Sequence, residues 1–319
     1  MPVADSTTTA QGDAAGFSRL ITVDDPFPPA GTVASGYERQ LCALLEAGNI
    51  LFLPRSPIAI PAEDKELLLG RKQTSSAYHK NIAYRPAEDR VTGLDASEQK
   101  EALELRRLLS DYSRRASEFL DRFLTPYAGK WKLDYASFRP IEEKGRPARL
   151  HARNDLLHFD SFPTRPTNGA RILRLFTNIN PAQNRVWVTS QTFEAFGPRL
   201  ARSAKLLEVG SNPMLRVVRS ASRALRLPLK QRPPYDEIMH RCHNAMKEDA
   251  GFQANAQKNQ WEFPPDSTWM VFTDCVSHSV LEGQYALEQT FLIPQNALVR
   301  AEVSPLAILE RLAGNRLTV

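Results

Sequence analysis

Cysteine is scarce in this chain. Cys42, Cys242 and Cys275 are the three in 319 residues, scattered and odd in number, so no disulfide framework is implied and a reducing compartment is the expected home. No stretch approaches the roughly 18 consecutive apolar residues that a spanning helix needs. Residues 1–17 have neither an apolar centre nor a basic start, so they are expected to be neither a secretory signal nor an anchor. Internal repeats are missing, which excludes solenoids and propellers. A surplus of acid is missing too. Lysine and arginine number 41 against 36 aspartates and glutamates, a formal charge of +5 with a pI near 9.1. That balance suggests anionic partners without choosing between nucleic acid, lipid headgroup and acidic metabolite.

What remains is ordinary globular composition, 42% hydrophobic and 24% charged, ample for a sizeable core. Residues 1–18 are small and polar and read as a disordered tail. Leu41, Leu44 and Leu45 give Tyr37–Ala47 an apolar helical face that Gly48 stops, and Ile50–Leu53 follows as a short buried strand. Ser97–Tyr127 is the longest helical pattern, with Leu105, Leu108, Leu109, Tyr112, Ala116, Phe119, Leu120 and Phe123 at steps of three and four. A strand begins near Trp131, and others run over 171–179, 185–189, 268–273 and 286–293. Helical patterns at Phe193–Leu207, Pro213–Leu227 and Tyr235–Asp249 interrupt them, and Pro305–Ala313 closes the chain. Strands, a helical insertion and more strands suit an antiparallel jelly roll that accepts insertions between its strands.

His158 and Asp160 stand two residues apart, so on an extended strand both side chains leave the same face. That spacing lets them grip adjacent positions of one metal ion. His278, on the far side of the insertion, is a candidate third ligand. Two histidines and a carboxylate on one face of an octahedral ion leave three positions open, the arrangement of non-haem Fe(II) oxygenases. By itself His-x-Asp is a weak signal, since a histidine–carboxylate hydrogen bond at a strand end explains it equally well.

The stretch His158-Phe159-Asp160-Ser161-Phe162-Pro163-Thr164-Arg165-Pro166-Thr167-Asn168-Gly169, running into 171–181, resembles the Kdo hydroxylase family, where Kdo is 3-deoxy-D-manno-oct-2-ulosonic acid. So does the later stretch 276–291, around Ser277-His278-Ser279, and the likeness extends from about Tyr37 to Leu298. The resemblance implies an Fe(II)- and 2-oxoglutarate-dependent dioxygenase that uses O2 to hydroxylate C3 of Kdo in Kdo-lipid A, giving Ko with release of succinate and CO2. It implies His158, Asp160 and His278 as iron ligands. The fold expected is α+β: a double-stranded β-helix (jelly roll, cupin-like) over 131–300 with a helical insertion at 190–260. An N-terminal helical and strand segment at 19–130 packs on that core, and a C-terminal helix lies within 301–319, in one catalytic domain.

Many oxygenases of this kind carry a basic residue beyond the distal histidine to hold 2-oxoglutarate. Glu288 and Gln289 occupy that region here. Arg174, sharing a strand face with Asn178, is the substitute expected, because a planar guanidinium matches a carboxylate; Asn178 and Gln289 are further cosubstrate contacts. Arg165, Arg171, His151, Arg153 and Gln284 are candidate contacts to the anionic substrate. Arg216, Arg219, Arg223 and Arg226 recur at helical spacing within 213–228, a basic amphipathic pattern suited to an anionic membrane surface. The expected location is therefore cytoplasmic, peripheral on the inner membrane of a Gram-negative bacterium, with no nucleic-acid partner. His240 and His243 read as part of a solvated helix because a closed zinc site lacks its other ligands, and Trp187 and Trp269 read as core. The rival readings are the same chemistry on a protein side chain or small metabolite, and a metal-free jelly-roll module that binds anionic glycolipid or nucleic acid.

Overall fold

A computed structural model describes residues 16–28, 36–71, 81–94, 99–203, 206–207 and 232–318. The basic segment 213–228 and most of the expected tail lie outside the described residues. The end of that tail does not: Phe17 bridges Gln191, and the Thr192 amide donates to the Gly16 carbonyl at 2.8 Å. Backbone pairing with a sheet edge orders a stretch whose side chains carry no such signal.

Eleven strands form two sheets among the described residues. They are β1 (Leu20–Thr22), β2 (Ile50–Leu53), β3 (Ile82–Arg85), β4 (Arg90–Thr92), β5 (Lys132–Arg139), β6 (Arg171–Asn178), β7 (Arg185–Thr192), β8 (Asn259–Phe263), β9 (Thr268–Phe272), β10 (Val276–Glu282) and β11 (Ala286–Ile293). The larger sheet has the order β1-β2-β9-β6-β11-β5-β3-β4 and the smaller β10-β7-β8. Every pairing is antiparallel except β1 with β2. His158 adds a single antiparallel bridge to His278. Because His278 already pairs with Thr189 of β7, that bridge lies on the other edge of β10 and extends the small sheet by one short segment. The two sheets facing each other make the jelly roll.

The outer face of the large sheet is covered by α1 (Tyr37–Glu46) and α3 (Gln99–Phe123), while α2 (Ala62–Leu69) joins β2 to β3. The three- and four-residue spacing of α3 does what its pattern requires: Leu105, Leu108, Leu109, Tyr112, Ala116, Leu120 and Phe123 are buried. Tyr112 meets Thr177 at 3.2 Å between hydroxyls, on the sheet face that residues 174 and 176 do not share. The segment before residue 131 supplies β1 to β4, half of the large sheet, so it is woven into the sheet as well as packed on it.

Between the sheets, Phe176, Trp187, Phe263 and Trp269 form an aromatic cluster, with Phe263 and Trp269 stacked at 4.0 Å and Phe176 and Trp269 at 5.2 Å. This cluster fills one end of the sandwich. The other end stays open as a cavity, roofed by α5 (Pro234–Glu248), the described helix that follows α4 (Phe193–Ser203). A short α6 (Ala250–Asn255) and a C-terminal α7 (Pro305–Ala313) complete the described helices. β8 is a strand the sequence pattern assigned to the insertion; its polar residues Asn259, Gln260 and Glu262 mask the alternation.

Arg171 points away from the cavity into the core, where its Nε donates to Asp274 Oδ2 at 2.8 Å and its guanidinium lies 4.3 Å from the Phe272 ring. Both side chains are almost fully buried. Removing one partner strands a buried charge, so Asp274→Ala is expected to lose about 3–5 kcal/mol in urea denaturation, with much of it regained in Arg171→Leu/Asp274→Leu. A loss below about 1 kcal/mol would mean the pair behaves like one at the surface.

Candidate metal centre

His158, Asp160 and His278 come together at the cavity floor, each offering one ligand atom within 4.8 Å of the others. The reason is topological. His158 and His278 face each other across their mutual bridge, with backbone hydrogen bonds of 3.1 and 3.0 Å, and Asp160 is anchored by its amide to the Thr273 carbonyl at 2.8 Å. Both imidazoles are oriented in the same manner. Nδ1 of His158 lies 2.7 Å from the Leu156 carbonyl and Nδ1 of His278 2.9 Å from that of Val276. Each Nδ1 therefore carries the proton, leaving Nε2 of each ring as a free lone pair. Trp187 stacks on His278 at 5.2 Å and His243 abuts the His158 ring at 4.9 Å. This donor set, with its second nitrogens held by carbonyls, fits a divalent transition metal.

Electrostatics favour the same use. Burial raises the cost of ionising Asp160, but the Arg174 guanidinium and the neighbouring imidazoles hold its carboxyl well below the usual range. Burial pushes His158 well down and His278 down as well, so both rings are neutral. Arg174 bridges two carboxylates: Nη2 lies 3.0 Å from Asp160 Oδ2, and Nη1 donates to Glu288 Oε1 at 2.7 Å. Glu288 in turn accepts from Nε of Arg139 at 2.8 Å.

The cavity holds about 400 Å³, within the roughly 300–1,000 Å³ of small-molecule sites. Of the residues that sequence reasoning nominated, Arg174, Arg165 and His151 line it along with the three ligand candidates. Asn178, Gln289, Arg171, Arg153 and Gln284 do not, and each has a structural reason. Asn178 ties the β6–β7 turn, donating to the Gln183 and Phe263 carbonyls at 2.9 Å each. Gln289 sits at a register shift between β11 and β5 and donates to the Asp134 and Thr290 carbonyls at 3.1 and 2.8 Å. Gln284 donates to the Pro140 carbonyl at 2.6 Å, and Arg153 pairs with Asp155 through Nε at 3.0 Å.

Sequence reasoning missed Arg185. It is fully buried at the start of β7 and lines the cavity. Its Nη1 donates to the Gly283 carbonyl at 2.9 Å, while Nε and Nη2 have no hydrogen-bond partner. The turn can lie so close because residue 283 is glycine, with φ +119° and a Cβ position 2.9 Å from the Arg185 Cα. Glu143 Oε1 stands 3.8 Å from Nη2, yet burial, with the nearby Arg139 charge, still pulls the Arg185 guanidinium down to about 10. Alternation with Trp187 on one strand was the available signal. The helix α5 requires a correction as well: it is not simply solvated, since His240, His243, Asn244 and Lys247 line the cavity.

Metal-free protein should therefore be acid-sensitive. Burial, then the Lys247 charge, lowers His243 from 6.5 to about 4, and His158 and His278 move the same way. The unfolded chain takes up these protons near pH 6.5 and the folded chain only at lower pH. In between, the unfolded state binds more protons, and stability falls as pH falls. The melting temperature of chelator-treated protein is expected to drop steadily from pH 7 to pH 5, and less steeply in His243→Gln.

Comparison with known proteins follows the same direction. A model of the 3-deoxy-D-manno-oct-2-ulosonic acid (Kdo) hydroxylase family matches residues 30–316. No curated protein matches the chain. Among solved structures, the Kdo hydroxylase KdoO, a non-haem Fe(II) α-ketoglutarate-dependent dioxygenase, in complex with α-ketoglutarate and Fe(III), aligns at 31% identity with a TM-score of 0.76, covering 94% of this chain and 97% of its own. The cobalt(II) complex of KdoO gives 31% and 0.77, and the complex with succinate and Fe(III) 31% and 0.75, with the same coverage. With a matching family model over most of its length and a relative of that identity, the chain belongs to the Kdo hydroxylase family.

Proposed function

We propose that this protein is an Fe(II)- and 2-oxoglutarate-dependent dioxygenase that hydroxylates C3 of the Kdo sugar in Kdo-lipid A to Ko. The observation that carries the reading is the pair of free Nε2 atoms and the ionised Asp160 at the floor of a buried cavity. His158, Asp160 and His278 would hold the iron. When bound, Fe(II) with 2-oxoglutarate and O2 supplies an oxidant that replaces a C–H bond by C–OH, releasing succinate and CO2. The chain's own part is positional. Carbonyls at Leu156 and Val276 fix both imidazoles, and Arg174 keeps Asp160 ionised and aimed. The Arg174 guanidinium is already engaged by Asp160 and Glu288, so the carboxylate of 2-oxoglutarate falls to Arg185. Its Nε and Nη2 are buried donors without hydrogen-bond partners, Glu143 standing 3.8 Å from Nη2, and a planar fork suits a carboxylate. A cavity of about 400 Å³ takes cosubstrate and a sugar while the lipid's acyl chains remain outside.

Anaerobic titration with Fe(II) and 2-oxoglutarate should produce a weak visible charge-transfer band in wild-type protein that is lost in His278→Ala. In Arg185→Met the band should persist, but need about tenfold or more 2-oxoglutarate to saturate, the loss of a charge-assisted hydrogen bond. A folded wild type that gives no band overturns the oxygenase reading, and unchanged saturation in Arg185→Met moves the anchor elsewhere.

The substrate is a membrane lipid, and the arginines of 213–228 follow the pattern of an interfacial helix. We accordingly infer a cytoplasmic protein, peripheral on the inner membrane, that meets its substrate at the surface. Charge reversal at Arg216, Arg219 and Arg223 to Glu should abolish sedimentation with anionic liposomes; full pelleting of that variant refutes the inference.

A further inference from the structure

Helix α5 presents three distinct faces. Tyr235, Ile238, Met239, Cys242 and Met246 are buried in the core, Arg241 and Glu248 are exposed, and His240, His243, Asn244 and Lys247 fall at steps of three and four on the side that lines the cavity. Those four cavity-facing residues divide into two pairs. His243 and Lys247 serve the fold: Nδ1 of His243 lies 2.8 Å from the Phe159 carbonyl, and Lys247 donates to the carbonyls of His151 and Arg153 at 3.0 and 2.7 Å. They lash the segment that carries His158 to the roof helix. His240 and Asn244 do nothing comparable. His240 Nδ1 and Asn244 Oδ1 are both buried and have no hydrogen-bond partner.

One turn apart on a helix, residues at i and i+4 have their Cβ atoms about 5–6 Å from each other, close enough for their polar tips to meet one small polyhydroxylated ring. Elsewhere on the cavity lining lies Arg165, its guanidinium between the Tyr135 ring at 3.8 Å and the Phe162 ring at 4.3 Å. Nη2 of Arg165 reaches Asp134 at 3.0 Å, and its Nε is buried without a partner. The stacked rings hold the cation in place. The cavity thus combines unfilled hydrogen-bonding capacity on α5 with a fixed guanidinium, and a polyhydroxylated sugar acid supplies both complements.

We infer that His240 and Asn244 of α5 are specificity-determining contacts to the sugar's hydroxyl groups, acting with Arg165 on its carboxylate. This rests on the reading of the site as one for Kdo-lipid A. An unpaired buried polar atom is costly to a fold, and such atoms collect where a ligand completes them. At neutral pH the His240 imidazole, which burial lowers, is uncharged and offers one donor and one acceptor.

The test is equilibrium binding of Kdo-lipid A to the anaerobic Fe(II)–2-oxoglutarate protein, for wild type, His240→Ala, His240→Gln and Asn244→Leu. Each variant's melting temperature and 2-oxoglutarate affinity are measured beside it. His240→Ala and Asn244→Leu should weaken lipid binding about tenfold each, the worth of one hydrogen bond of average strength. His240→Gln should keep part of the affinity. Cosubstrate affinity should be unchanged, and the melting temperature unchanged or higher, because each substitution removes a polar group with no partner in the fold. Wild-type lipid affinity in both variants overturns the inference. So does a fall in melting temperature with matching loss of 2-oxoglutarate binding, which would make the residues structural. A wild type that binds 2-oxoglutarate but no Kdo-lipid A overturns the substrate reading itself, and this inference with it.

Discussion

Four charges in alternating order, Arg139, Glu288, Arg174 and Asp160, the two carboxylates buried and the two guanidiniums largely so, hold this site together. A buried carboxylate that lacks a cation takes up a proton, and a protonated Asp160 would be a poor metal ligand. Arg174 prevents that, and it can be present in the interior only because Glu288 balances its second edge. The large sheet sets this order. Glu288 pairs in register with Phe176 and Thr290 with Arg174, so residues 174, 176, 288 and 290 share the inner face. A one-residue slip of β11 would turn Glu288 outward and bring Gln289 in, removing the counter-charge.

The cavity distinguishes two populations of polar side chains. Asn178 and Gln284, away from its lining, have their side-chain amides tied to backbone carbonyls of the protein. Arg185, His240 and Asn244 keep buried polar atoms without a hydrogen-bond partner. Folding alone would favour replacing the second group with apolar residues of similar shape. Their presence on the cavity lining, beside a metal-binding triad, is the signature of a surface completed by its ligands. The protein gives up some stability there, at sites where hydrogen bonds to cosubstrate and substrate restore it.

The insertion between β7 and β8 has a role beyond linking strands. Through α5 it roofs the cavity, and through His243 and Lys247 it fastens the segment that carries His158. That segment bridges β10 at His278 and accepts from the Val280 amide at the Asn154 carbonyl, 2.9 Å, so the metal-binding edge is clamped from two sides: by backbone pairing below and by helix side chains above.

Much of this was legible in one dimension. The three- and four-residue repeat of α3, the alternation in β6 and β11, and the two-residue spacing of His158 and Asp160 are local patterns, and local geometry converts them directly into faces. The likeness of two separated stretches to one family joined His278 to the other two ligand candidates. β1, β3, β4 and β8 stayed hidden because they are short or polar, and their partners, not their own sequences, make them strands. The choice among arginines was equally invisible. Arg171, Arg174 and Arg185 each fit a carboxylate on paper. Which of them is spent on Asp274, which on Asp160 and Glu288, and which stands without a close carboxylate hydrogen bond depends on neighbours in other segments of the chain. The sequence by itself determined the longer, patterned elements and the triad's residue types. Only tertiary structure decided which polar groups were already satisfied, because satisfaction is a property of contacts between distant segments.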